Sequence, residues 1–159
     1  MRDGGFLERL ARAHPGLVLH GVDPTEAMLD RARERCGETV ELKRGEAEDL
    51  SFADDAFDVV ISVSALHYFS DARRAISEMA RVLRPGGTVV VTDWCADYWA
   101  MRLYSVCLRA RDSAVKQIYR AKQIRGYLES AGFENVVATH FRIRPLWGMV
   151  RLNGGKRGS

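Results

Sequence analysis

The run Phe57-Asp58-Val59-Val60-Ile61-Ser62-Val63 limits the fold more than any other stretch. It is a nearly continuous apolar run, the signature of a strand covered on both faces. Such strands belong to parallel sheets, whose neighbours are joined by helical crossovers. The chain on either side supplies them. Phe6, Leu7, Leu10 and Ala11 share one helical face, and His14-Pro15-Gly16 stops that helix. Leu17–Val22 reads as a short buried strand ending at Asp23. Pro24 opens a helix with Ala27, Met28 and Ala32 on its apolar face, and Gly37 closes it. Val40–Lys43 alternates like a strand. Ala72, Ala75, Ile76, Met79, Ala80 and Leu83 repeat at helical spacing, Arg84–Gly87 forms a turn, and Thr88–Thr92 is another buried strand.

Further helices are expected around Tyr98–Arg111 and Ile124–Ala131, the second ended by Gly132. Strands at Val136–Ile143 and Trp147–Leu152 have no helix between them, which predicts a C-terminal antiparallel hairpin. The expected fold is therefore α/β: one Rossmann-like, doubly wound domain over residues 1–153, mainly parallel, with a fraying tail at 154–159.

At 159 residues and 47% hydrophobic content the chain can bury a core. No apolar run approaches the ~20 residues of a bilayer helix, and Met1–Phe6 lacks the apolar stretch of a signal peptide. A cytoplasmic location follows as the default. Cys36, Cys95 and Cys107 are odd in number and widely spaced, which suggests neither a disulfide framework nor a metal site. The net charge of +3 is spread among acids. Arg142, Arg144, Arg151, Lys156 and Arg157 lean basic near the end, where a solvated tail accounts for them better than a nucleic-acid surface.

In doubly wound sheets, ligands settle outside the carboxyl ends of the strands, so the loops after strands carry the chemistry. Asp23 follows a strand and fits two roles: accepting both hydroxyls of a ribose, or capping the helix that begins at Pro24. His67 follows the central run and could act as a general base, orient a substrate, or simply pack. Asp93, Trp94 and Tyr98 follow the next strand, where an aromatic and acidic mix suits a pocket for an organic molecule. Packing against the sheet explains Trp94 equally well. Tyr68 and Phe69 fit either pocket walls or core.

A longer pattern is more specific. Arg44-Gly45-Glu46-Ala47-Glu48-Asp49-Leu50-Ser51-Phe52 leading into Phe57-Asp58-Val59-Val60 resembles class I S-adenosylmethionine-dependent methyltransferases. So do Ser62–Asp71, Glu78–Gly87 and Tyr127–Phe133, all in the family's order. The resemblance covers residues 4–152 and implies a small-molecule methyltransferase with S-adenosylmethionine as cofactor. By it, Asp23 holds the ribose, Met28 packs near the adenine, and Glu46 accepts from the adenine amino group. Ala47 offers a backbone N–H, and the backbone of Ser62 and Val63 meets the methionine end. Methyl transfer asks for alignment and exclusion of water more than for reactive groups, so no metal is implied.

The family begins with a central strand and a Gly-x-Gly-x-Gly turn. Here Gly4 matches the last glycine, Arg2 stands where an earlier one belongs, and the first, central strand is missing. That predicts two bare strand edges, which would pair with each other or stay open to self-association. A non-catalytic partner subunit of the same fold is thus an alternative. A nicotinamide oxidoreductase is another, because Asp23 lies about 20 residues after a glycine turn.

Overall fold

The computed structural model describes residues 5–104, 114–144 and 147–158. The chain divides into two compact units, residues 1–51 and 52–159.

In the N-terminal unit, helix α1 (Gly5–Ala13) precedes strand β1 (Leu19–Asp23), helix α2 (Glu26–Cys36) and strand β2 (Val40–Arg44). β1 and β2 pair in parallel from Leu19↔Val40 to Asp23↔Arg44 and form a two-stranded sheet. Gly21 makes room for its neighbours: a Cβ there would lie 2.7 Å from Leu42 and 2.9 Å from Leu7. The strand begins two residues later than expected, and Leu17 and Val18 are 50% and 85% exposed. α2 opens at Glu26 with Thr25 in the N-cap position, so Pro24 stands outside the helix rather than at its first turn. Gly37, at φ +58°, closes α2 as the sequence predicts.

The C-terminal unit holds a four-stranded sheet in the order β3-β4-β6-β5. β3 (Phe57–Val63) and β4 (Leu83–Trp94) are parallel, connected through helix α3 (Ala72–Val82). α3 buries Ala72, Ala75, Ile76, Met79 and Ala80 of the predicted face together with Val82, while Leu83 opens β4, and its cap Asp71 accepts from the N–H groups of Arg73 and Arg74 at 3.0 Å. Residues 99–104 form the first turns of α4, and the remainder of the helix expected to Arg111 lies outside the described residues. Helix α5 (Ala121–Ser130) leads to β5 (Phe133–Arg144) and β6 (Trp147–Lys156), the predicted antiparallel hairpin. β6 also pairs antiparallel with β4. The main core gathers Leu66, Ile76, Met79, Leu83, Val89, Val91, Ile124, Leu128, Phe133, Val150 and Leu152. Among the described residues, no helix is long and apolar enough to cross a membrane.

Several expectations change. The turn at Arg84–Gly87 sits inside β4: between the pairs Phe57↔Leu83 and Val59↔Thr88, β3 advances two residues while β4 advances five. Gly86 takes φ +75°, and a Cβ on Gly87 would meet the Asp58 carbonyl oxygen at 2.9 Å. β3 is covered on one face, because Val60 packs on the core while Val59 and Ile61 are 50% and 39% exposed. β1 pairs with β2 and β3 with β4, in separate sheets. The tail expected to fray from Gly154 is strand through Lys156. Thr88↔Gly155 and Val89↔Gly154 hold it in the ladder, and Lys156 Nζ donates to the Leu83 carbonyl at 2.6 Å and to Asp55 at 2.8 Å.

Candidate active site

The end of β3 shows a local strain. Ser64 takes φ +51°, uncommon for a residue with a side chain, and its N–H donates to the Thr92 carbonyl at 2.7 Å. That bond ties the loop after β3 to the end of β4. The chain then winds through one 3-10 turn, Leu66–Tyr68, which buries Leu66 and His67. β4 turns Val89, Val91 and Asp93 inward, so its period of two delivers a carboxylate to the buried face at the strand's end.

His67 and Asp93 meet there. Nδ1 of His67 lies 2.6 Å from Oδ1 of Asp93, with the two side chains 1% and 3% exposed. Asp93 also accepts the His67 N–H on Oδ2 at 3.1 Å and the Trp94 N–H on Oδ1 at 2.6 Å. A carboxylate only accepts, so Nδ1 is the donor and carries the imidazole proton. Nε2 is buried and meets no hydrogen-bond partner among the described residues. A polar atom left in that state costs about 1–3 kcal/mol. The Trp94 ring stacks on the imidazole, 4.1 Å away at 12°, and Tyr68 lies 4.1 Å away at 45°. Backbone N–H groups of Lys116 and Gln117 donate to the His67 carbonyl at 2.8 and 3.3 Å, which fixes the turn from another side.

Asp93, expected to touch substrate, is 2% exposed with both oxygens engaged by donors of its own chain. Trp94 packs on His67 and meets Trp147 edge-on at 5.5 Å. Tyr98 packs with both tryptophans against the small cluster of Ala96, Met101 and Ile118. Its hydroxyl donates to the Phe141 carbonyl at 3.4 Å, and its ring covers Gly148, where a Cβ would lie 1.9 Å away. Ser62 is buried and its Oγ has no partner among the described residues; Val63 is half-buried beside it. The union of His67 with Asp93 was not foreseen, although the alternation Val89, Val91, Asp93 is the sequence signal for it.

A second group, Cys95 with Asp97 and His140, was not foreseen as a cluster, although Asp97 lies in the stretch after β4 that the sequence marks for substrate contacts. Asp97 Oδ2 accepts from Cys95 Sγ at 3.3 Å and from the Ala121 N–H at 3.2 Å, and lies 2.9 Å from His140 Nε2. These ligating atoms all fall within 4.8 Å, a thiol, carboxylate and imidazole set of the kind that zinc takes. As built, it is a hydrogen-bonded hub that joins the end of β4, the start of α5 and β5. Burial pushes the Cys95 thiol up to about 11. Burial alone would raise Asp97 too, but the bonds from His140, Cys95 and Ala121 hold it below its ordinary value.

In the N-terminal unit, Asp23 ends β1 and its Oδ1 accepts the Thr25 N–H at 2.8 Å, with the Thr25 hydroxyl on the same oxygen. The carboxylate is thereby held in one orientation. It is not the cap of α2, whose N-cap is Thr25. Met28 is half-buried on α2. Glu46 is exposed and opens a turn in which its carbonyl accepts from the Asp49 N–H at 3.2 Å, with Ala47 half-buried next to it. Gly4 and Cys107 lie outside the described residues.

Comparison with known proteins adds sequence and fold relationships. Residues 2–91, more than half of the chain, match a family model described as a methyltransferase domain. The chain is 42% identical over 77 residues to an uncharacterized methyltransferase, YcgJ, of Bacillus subtilis, covering 46% of this chain and 30% of that protein. It is 26% identical over 145 residues to O-methyltransferase resE of Aspergillus sclerotiorum, covering 87% and 54%. The chain thus spans less than two thirds of these relatives. The crystal structure of Bacillus YcgJ superimposes with a TM-score of 0.80 at 21% identity, over 95% of this chain and 88% of that one, a likeness of fold.

Proposed function

Since this chain belongs to the class I S-adenosylmethionine-dependent methyltransferase family, we propose that it transfers methyl groups to a small organic acceptor, with S-adenosylmethionine as the donor. Family membership displaces the nicotinamide reading of Asp23. When bound, the donor supplies a methyl group made electrophilic by its sulfonium, and the protein's task is to align and to exclude water.

The observation that carries the proposal is the Asp23 carboxylate at the carboxyl end of β1. Thr25 fixes one of its oxygens and so orients the group for the paired hydroxyls of a ribose. In the same unit Glu46 is exposed and able to accept from an adenine amino group, Ala47 offers its N–H, and Met28 provides apolar surface. In the other unit the backbone of Ser62 and Val63 would serve the methionine portion. His67 would act beside the methyl acceptor. Gly4 keeps the role implied by its match to the family's glycine turn.

The test is thermal. S-adenosylhomocysteine is expected to raise the melting temperature of the 159-residue chain, NAD is not, and Asp23→Ala should abolish the shift. Stabilisation by NAD alone, or an undiminished shift in Asp23→Ala, would overturn the assignment.

A further inference from the structure

We infer that Cys95, Asp97 and His140 form a zinc site, with three protein ligands and a fourth position open to solvent. It lies within the C-terminal unit and stands apart from the methyltransferase reading. Sγ of Cys95, Oδ2 of Asp97 and Nε2 of His140 all fall within 4.8 Å of one another. Sulfur lies 3.3 Å from Oδ2, and Oδ2 lies 2.9 Å from Nε2. Zinc bonds of ~2.0–2.3 Å in a tetrahedron set neighbouring ligand atoms about 3.3–3.6 Å apart. The sulfur and oxygen already stand at that spacing. The imidazole has only to draw back slightly, and its side chain is 42% exposed and free to do so.

The fold places each ligand separately. Cys95 and Asp97 sit two residues apart in the turn after β4, which is fixed by the Cys95 N–H on the Gly148 carbonyl at 3.0 Å and the Ala96 N–H on the Tyr119 carbonyl at 2.9 Å. Val150 of β6 pairs with Asp93 on one side and with His140 on the other, so the register of the sheet carries His140 across to the end of β4. The Ala121 N–H at the start of α5 orients the Asp97 carboxylate at 3.2 Å, and the Tyr98 ring packs against the imidazole at 6.2 Å. Outer contacts of this kind hold metal ligands in position before the ion arrives. The spacing of the cysteines hides the site, because its third ligand lies on β5, 43 residues beyond Asp97.

The chemistry of the three donors selects the ion. In the metal-free hub, the thiol proton and a proton on Nε2 both point at Asp97 Oδ2. A single dication takes the place of both. The thiol gives its proton to solvent, and the imidazole keeps its own on Nδ1 and turns the Nε2 lone pair to the metal. Thiolate and carboxylate then sum to the charge that zinc cancels, so no net charge is left beside the buried Cys95. Magnesium and calcium take oxygen ligands, whereas sulfur and nitrogen suit zinc. Once bound, the ion ties the end of β4 to β5, and through Asp97 to the start of α5.

The untagged full chain, stripped with a chelator and dialysed against zinc, should retain one equivalent by atomic absorption. Cobalt in its place should give a thiolate-to-metal charge-transfer band and the intense visible bands of a tetrahedral ion. Cys95→Ser should abolish the charge-transfer band, and Cys36→Ala should leave it unchanged. Because His140 lies at the surface, His140→Ala keeps the test open if the buried Cys95→Ser fails to fold. It should weaken zinc binding by more than the ~10–100-fold lost with an outer contact. Zinc, but not magnesium, should raise the melting temperature of the parent chain and not that of His140→Ala. A chain that retains no zinc, a cobalt spectrum without the thiolate band, or unchanged affinity in His140→Ala overturns the proposal.

Discussion

The two units solve the problem of covering a sheet with unequal resources. The C-terminal unit, residues 52–159, has four strands, a well-capped α3 and a continuous core from Leu66 to Leu152. The N-terminal unit has two strands, and its buried apolar side chains among the described residues are Leu29, Ala32, Cys36 and Val40. α1 buries no residue completely, although its apolar face is well marked in the sequence. A two-stranded sheet is at best marginal by itself. The C-terminal unit should therefore carry the stability, and it also carries His67 and Asp93. The N-terminal unit offers Asp23 and Glu46 on a thinner scaffold.

Trp94, Trp99 and Trp147, the three tryptophans of the chain, all lie in the C-terminal unit, so their fluorescence reports on that unit alone. Ile76 is fully buried in its core. Ile76→Ala is expected to lower the stability read by tryptophan fluorescence in urea by about 2–5 kcal/mol. Leu29→Ala removes a comparable side chain from the N-terminal unit and should leave that transition within about 0.5 kcal/mol of the parent. A matching shift in both variants would break the contrast and show that the units unfold as one.

Helix capping sharpens the contrast on a smaller scale. Asp71 receives two N–H bonds at the start of α3, whereas Thr25, the N-cap of α2, makes no side-chain capping bond. Asp71→Ala should cost about 1 kcal/mol in the same fluorescence assay. Thr25→Ala removes no capping bond and should leave both that transition and the helical circular dichroism unchanged. A silent Asp71→Ala would mean that packing of Ile76 and Met79, not the cap, decides α3.

The smallest expected effect concerns Cys95. Burial foremost raises its thiol from an ordinary 9.0 to about 11. The unfolded chain then loses this proton at lower pH than the folded one, so the folded state is favoured fully below pH 9 and progressively less as pH climbs toward 11. Melting temperatures over that window should fall more for the parent chain than for Cys95→Ala. Parallel curves would show that the hub at Asp97 does not shield the thiol.

Much of the fold could be read from local pattern. α3 was visible because Ala72, Ala75, Ile76, Met79 and Ala80 recur at 3.6-residue spacing, and β3 because its apolar run is too short for anything but a strand. Stops at Gly37 and Gly132 were visible because both take positive φ, which favours glycine. The end of β6 was misread because Gly154 and Gly155 look like tail residues. In the ladder they sit opposite Val89 and Thr88 of β4, and Gly155 also pairs with Glu134 of β5, so pairing offsets the cost of glycine. The coverage of β3 was misread for a related reason: an apolar run records what a strand can bury, not how many layers are there to bury it.

The candidate site divides along the same line. Its residue types and their places after strands came from the sequence, because each loop follows directly from the strand before it. The partners did not. His67 and Asp93 are 26 residues apart, and Asp97 and His140 are 43 apart, so nothing in either neighbourhood announces the contact. What joins the first pair is the parallel register of β3 on β4, which sets Val63 against Thr92 and brings the two strand ends level. What joins the second is the antiparallel return of β5 and β6, with Cys95 N–H bonded to the Gly148 carbonyl at 3.0 Å. Periodicity and turn chemistry act over a few residues, and so the sequence alone determines elements and their boundaries. Hydrogen-bond register and burial act across the sheet, and only there was it decided that Asp93 faces a histidine rather than a substrate.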